Sequence, residues 1–108
     1  MAKFLIQAQY TADGLKRLMK DKATGRLLEL KRAVASVGGN LDAMYWALGE
    51  DDAILIVDLP DAESAAAAGI AASASGHART KTTRLLTADE VDTALEKIVR
   101  YRNQGNKL

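Results

Sequence analysis

Three carboxylates stand in a row at Glu50-Asp51-Asp52. Crowded like charges raise one another's pKa values, which is one way a carboxyl group becomes an acid–base catalyst. An Asp-rich turn also has a simpler use, because its side chains bind nearby backbone amides. We favour that use for Asp52. The one histidine, His77, is the only side chain that titrates near neutrality without help from its surroundings. It is a candidate base, although little else converges on it by sequence and a surface position is the plainer expectation. Trp46 and Met44 share one side of an alternating stretch with Leu48. They are candidates for the wall of a ligand cavity, with packing at a subunit interface as the favoured alternative. Arg79, Lys81 and Arg84 offer cations to an anionic ligand, or else pair with the acidic block at 42–63. The catalytic candidates are therefore His77 and Asp52, and the ligand-binding candidates are Trp46, Met44 and Arg79.

Other chemistry is excluded by composition. The 108 residues hold no cysteine, which removes disulfides, thiolate zinc sites and thiol nucleophiles together. With a single histidine as well, no metal site is expected, and no cofactor. Gly38-Gly39 precedes a strand pattern, whereas phosphate-binding glycine loops open a helix. Ser36, Ser64, Ser73 and Ser75 sit in no nucleophile elbow. The formal net charge of +1 conceals blocks. Residues 1–32 carry eight bases and three acids, residues 33–78 seven acids and no base, and residues 79–108 seven bases and four acids. A near-neutral total argues against general nucleic-acid binding. The cluster Lys16, Arg17, Lys20, Lys22 and Arg26 is expected to be a solvated helix face. No run approaches the ~20 apolar residues of a membrane helix, and the N-terminus turns polar at Gln7, too early for a signal peptide. A cytoplasmic protein without a membrane partner is the expectation.

The elements that must position these residues follow from periodicity. Residues 3–10 alternate, with Phe4, Ile6, Ala8 and Tyr10 on one side, and predict a strand. Thr11-Ala-Asp-Gly14 is turn chemistry in which Asp13 is the expected cap. A short helical turn follows, then a break near residues 23–25 with Thr24 as a cap, then a helix to Val37 that Gly38-Gly39 stops. Residues 40–48 and 52–59 are predicted strands joined by the Gly49-Glu50-Asp51 turn. Asp61 caps a second, alanine-rich helix that Gly76 ends. The threonines Thr80, Thr82 and Thr83 favour a fourth strand over 77–86. Thr87 and Glu90 form a capping box with Leu86 and Val91 as its staple. Val91, Ala94, Leu95, Ile98 and Val99 are the expected buried stripe of a third helix. Residues 1–102 make a single domain, and 103–108 read as a flexible tail.

The order β-α-β-β-α-β-α is that of an α+β, ferredoxin-like domain with an extra C-terminal helix. Its third strand is apolar at every position from Ala53 to Val57, which asks for cover on both faces. Helices cover only one face of such a sheet. The other face carries either Ile54 and Ile56 or Leu55 and Val57, each worth about 1.5–3 kcal/mol when buried. The cheapest cover is the same face of a second copy, so a sheet-to-sheet homodimer is expected.

Gly49-Glu50-Asp51-Asp52 with its apolar strand, Arg79-Thr-Lys-Thr-Thr-Arg84 and Thr87-Ala-Asp-Glu90 resemble the GYD domain proteins over most of the chain. These are small bacterial proteins named for a Gly-Tyr-Asp motif between the second and third strands. Asp51 stands where that motif has its tyrosine, while Gly49 and Asp52 are kept. The resemblance implies a ferredoxin-like domain of the dimeric α/β-barrel kind and carries no established activity. Some dimeric α/β-barrel proteins handle haem, which would make His77 a ligand. The leading expectation is a homodimer binding a small molecule between sheet and helices. The rival is a cofactor-free monooxygenase or isomerase, with His77 as base, Trp46 as cavity wall and Asp52 as orienting acid. RNA binding is disfavoured because Ala53–Leu59 lacks the stacking aromatics of RNA-recognition sheets.

Overall fold

Phe4, Ile6 and Ala8 alternate with polar or half-exposed neighbours along β1 (Ala2–Tyr10) and point to the same side as Ala53, Leu55, Val57 and Leu59 of β3 (Ala53–Leu59). These two strands pair antiparallel at the centre of a four-stranded sheet of order β2-β3-β1-β4, with β2 (Asn40–Trp46) and β4 (Ala78–Leu85) at the edges. The computed structural model describes the backbone of residues 1–103 and 106–107. The architecture is α+β and ferredoxin-like, in the order β-α-β-β-α-β-α that the sequence predicts. Helices α1 (Ala12–Ser36) and α2 (Ala62–Ala74) both lie on one face. Between helices and sheet Val57 and Leu59 are sealed from solvent, with Phe4, Ile6, Leu55, Val34 and Ala65 around them.

Several local features depart from the sequence pattern. Thr11, not Asp13, caps α1 by accepting the Gly14 amide at 3.1 Å, and Asp13 lies in the first turn. The helix break falls at Lys22, with φ 64° and ψ 167°, rather than at residues 23–25. Gly38, at φ 80°, ends the helix region as expected. In β2 the register shifts between Leu41 and Ala43, a bulge that takes Leu41 out of the simple alternation. Leu41 therefore faces the helices beside Met44 and Trp46, and all three pack against the core.

The capping box of α3 (Ala88–Leu95) is formed as its sequence dictates, Thr87 and Glu90 exchanging hydrogen bonds at 3.2 and 2.8 Å. Its expected buried stripe is not buried. The helix ends at Leu95, short of Ile98 and Val99, and Val91, Leu95, Ile98 and Val99 are all exposed, because no described element packs extensively against α3. Beyond α3, β5 (Arg102–Asn103) pairs with β6 (Asn106–Lys107). The expected flexible tail at 103–108 lies in part outside the described residues.

The sheet face away from the helices carries Leu5, Ala43, Tyr45, Ile54 and Ile56, brought together by the cross-strand pairs Leu5↔Ile56, Ala43↔Ile56 and Tyr45↔Ile54. The alternation thus places Ile54 and Ile56, not Leu55 and Val57, on the open side. Lys3 closes one end of this apolar strip through Asp58 at 2.9 Å and Asp42 at 3.1 Å. Asp58 first, then Asp42, holds the Lys3 ammonium above its ordinary pKa.

Candidate functional site

The chain leaves the sheet at Tyr10 and Thr11, and three sequence candidates gather at that end. The Tyr10 amide donates to Asp52 Oδ2 at 2.8 Å, and the indole N–H of Trp46 donates to the Tyr10 hydroxyl at 3.1 Å. The Thr11 amide donates to the His77 carbonyl at 3.0 Å, and its hydroxyl to the Gly76 carbonyl at 2.6 Å. A side chain at Gly14 would collide with the same His77 carbonyl, so the first turn of α1 touches the start of β4 directly. Asp52, Trp46 and His77 are thus tied to one two-residue segment.

What they do there is join strands. The Asp52 carboxylate takes up a backbone amide of β1, as turn chemistry suggests, although that amide lies 42 residues away. His77 is fixed through its backbone. Trp46 and Met44 face the helices and the core, not the open sheet face on which a sheet-to-sheet homodimer is expected to pair. The β2 bulge shows why simple alternation misleads for that strand.

Two concavities flank the sheet, one on each face. On the helix side, a groove of about 790 Å³ runs between α2 and the sheet, lined by Phe4, Ala65, Ala66, Ile70, Thr80 and Thr82 among others. It exists because α2 is built of small residues. Alanine and Gly69 leave open the space that larger side chains would fill. Its walls are apolar apart from threonine and serine hydroxyls, and its size suits a small organic molecule. On the open side, a polar cleft of about 370 Å³ lies between the β2–β3 turn and β4, lined by Gln7, Gln9, Glu50, Asp51, Arg79 and Lys81. Of the candidate residues, Arg79 lines the second cleft, whereas His77, Asp52, Trp46 and Met44 line neither. A base, a cavity wall and an orienting acid around one cavity are what the enzymatic alternative requires, and these two concavities do not bring them together. Among the described residues, no three His, Cys, Asp or Glu side chains gather as a metal site would need. No described helix is long and apolar enough to cross a membrane.

The cationic strand divides its labour. Lys81 pairs with Asp51 at 3.5 Å, within the acidic block as anticipated. Arg84 instead pairs with Glu90 at 2.8 Å and lies over the Phe4 ring at 5.7 Å. Tyr10, Gln7 and Gln9 were not singled out by sequence. The glutamines are the polar positions of the β1 alternation, and that is the one signal they carry in the sequence.

The family model described as GYD domain matches residues 4–95. No curated protein and no solved structure matches the chain.

Proposed function

The chain belongs to the GYD domain family, and on that premise we propose that it works as a homodimer, paired through the open sheet face, binding a small apolar molecule between α2 and the sheet. The observation that carries the pairing is the contiguous strip Leu5, Ala43, Tyr45, Ile54 and Ile56, over which no helix lies: Tyr45 is exposed and the other four are half-buried. For the ligand, the supporting observation is the unfilled groove under α2, with Phe4 at its floor and Ile70 exposed at its rim.

Native mass spectrometry of protein purified from its expression host tests the ligand. A small molecule is expected on the wild type and lost from Ala66→Trp, which plugs the groove from an exposed helix position while leaving the open face untouched. A wild type that carries nothing, and binds an apolar fluorophore no better than Ala66→Trp does, contradicts the groove's role.

A further inference from the structure

The polar cleft on the open side holds groups whose hydrogen-bonding capacity is unspent. Asp51 is 87% buried by its side chain's 13% exposure. Its Oδ2 accepts from Gln7 Nε2 at 3.0 Å and meets Lys81 at 3.5 Å, while its Oδ1 is buried with no hydrogen-bond partner. A carboxylate oxygen shut away without a donor is costly, and native proteins seldom leave one without a reason. Across the cleft, the Arg79 guanidinium makes no ion pair among the described residues. Gln7 and Gln9 donate through their amide N–H groups, to Asp51 and to the Glu50 carbonyl, which leaves both amide oxygens as acceptors. The cleft therefore has a fork of donors without an acceptor facing a set of acceptors without a donor.

We propose that this cleft binds a small zwitterion, an ammonium and a carboxylate carried on one carbon, as in a free α-amino acid. Arg79 takes the ligand carboxylate in the planar, two-pronged fashion that guanidinium favours. The ligand ammonium, with three protons to place, goes to Asp51 and the glutamine oxygens. It displaces the Lys81 contact, whose 3.5 Å length makes it the loosest bond at Asp51. Charge decides against simpler ligands. Glu50 and Asp51 are balanced by Arg79 and Lys81, so a lone anion meets the carboxylates and a lone cation meets the arginine. Only a molecule carrying both signs satisfies both ends. The inference is independent of the apolar groove, which lies on the opposite face of the sheet.

Amide chemical-shift titration of the full chain tests it, with glycine, L-serine and L-glutamate as probes and acetate and methylammonium as half-ligands. At least one amino acid is expected to give saturable shifts around Gln7, Gln9 and Arg79, and to bind at least about tenfold more tightly than either half. Arg79→Gln and Asp51→Asn are each expected to weaken that binding about tenfold or more. Arg79 is exposed, so the first variant reports even if the second fails to fold. No saturable shift with any probe overturns the proposal, as does acetate binding as tightly as the amino acids, or affinity unchanged in Arg79→Gln. So does an Arg79→Gln variant that alters only sedimentation, which would make the cleft a contact with a second copy.

Discussion

The Asp52 carboxylate accepts the Tyr10 amide at 2.8 Å where β1 ends, at the point that also anchors Trp46 and the His77 backbone. Removing an acceptor from a half-buried amide costs about 1–3 kcal/mol. Urea denaturation should show that loss for Asp52→Ala and a clearly smaller one for Asp52→Asn, which keeps a neutral acceptor. Equal losses would mean that charge, not the hydrogen bond, is what matters there. Gly14 is the second residue on which this junction depends. Any Cβ strikes the His77 carbonyl, and overpacking of this kind costs about 1–3 kcal/mol, so Gly14→Ala should lower the melting temperature although alanine is the better helix former. Residue chemistry was partly legible in the sequence. That Asp52 binds an amide is ordinary turn behaviour. Which amide it binds was hidden, because the partner is 42 residues distant and is chosen by strand pairing. Asp51 and the two glutamines illustrate the same limit, since their types are visible but the meeting of the β2–β3 turn with β1 is not.

Among the elements, α2 joins packing most directly to the proposed ligand groove. Gly69 sits inside the helix, and a Cβ there would lie 3.5 Å from Thr80 Oγ1, an ordinary contact. Gly69→Ala should therefore stabilise the protein by about 0.5–1 kcal/mol through helix propensity alone, while narrowing the groove. A higher melting temperature joined to weaker apolar-ligand binding is the expected pair of results, and a stabilised variant with unchanged binding would place the ligand elsewhere. The caps of α2 and α3 set the response to acid. Ser64, through its hydroxyl and then its amide, holds Asp61 below the ordinary 3.8, while the Thr87 amide and then Arg84 hold Glu90 below the ordinary 4.5. A carboxyl whose pKa falls on folding adds stability above its unfolded value and loses it as pH drops through the folded one. Both caps should accordingly hold at neutral pH and fail in acid. Thermal melts on acidification should show a smaller loss in an Asp61→Asn/Glu90→Gln double variant than in the wild type, and equal losses would contradict the assignment. The Asp61 cap of α2 and the capping box of α3 were readable because they are local, three residues from end to end. The β2 bulge was not, since one extra residue in a strand leaves no mark in an alternating sequence. The α3 stripe is amphipathic from Val91 to Leu95, but the helix ends before Ile98 and Val99, and burial is decided by what else lies nearby.

At the scale of the whole molecule, the apolar run of β3 foretold a face that one subunit does not cover. The alternation then settled which side chains bear it, Ile54 and Ile56 outward and Leu55 and Val57 inward. The subunit has a radius of gyration of 17.5 Å and extents of 59 × 29 × 23 Å, against about 13 Å for a compact domain of this length. It also leaves the α3 stripe exposed. Because Ile56 lies on the open face and Leu55 in the core, Ile56→Glu should yield a folded monomer, and Leu55→Glu, which forces a charge among the core side chains, an unfolded chain. These results separate the two faces, but the wild type alone decides the central claim. Sedimentation equilibrium of the wild-type protein is the most direct test. Pairing through the open face predicts twice the 11.6 kDa chain mass, falling to a single chain in Ile56→Glu. A wild type that sediments as one 11.6 kDa chain at concentrations well above micromolar would contradict it.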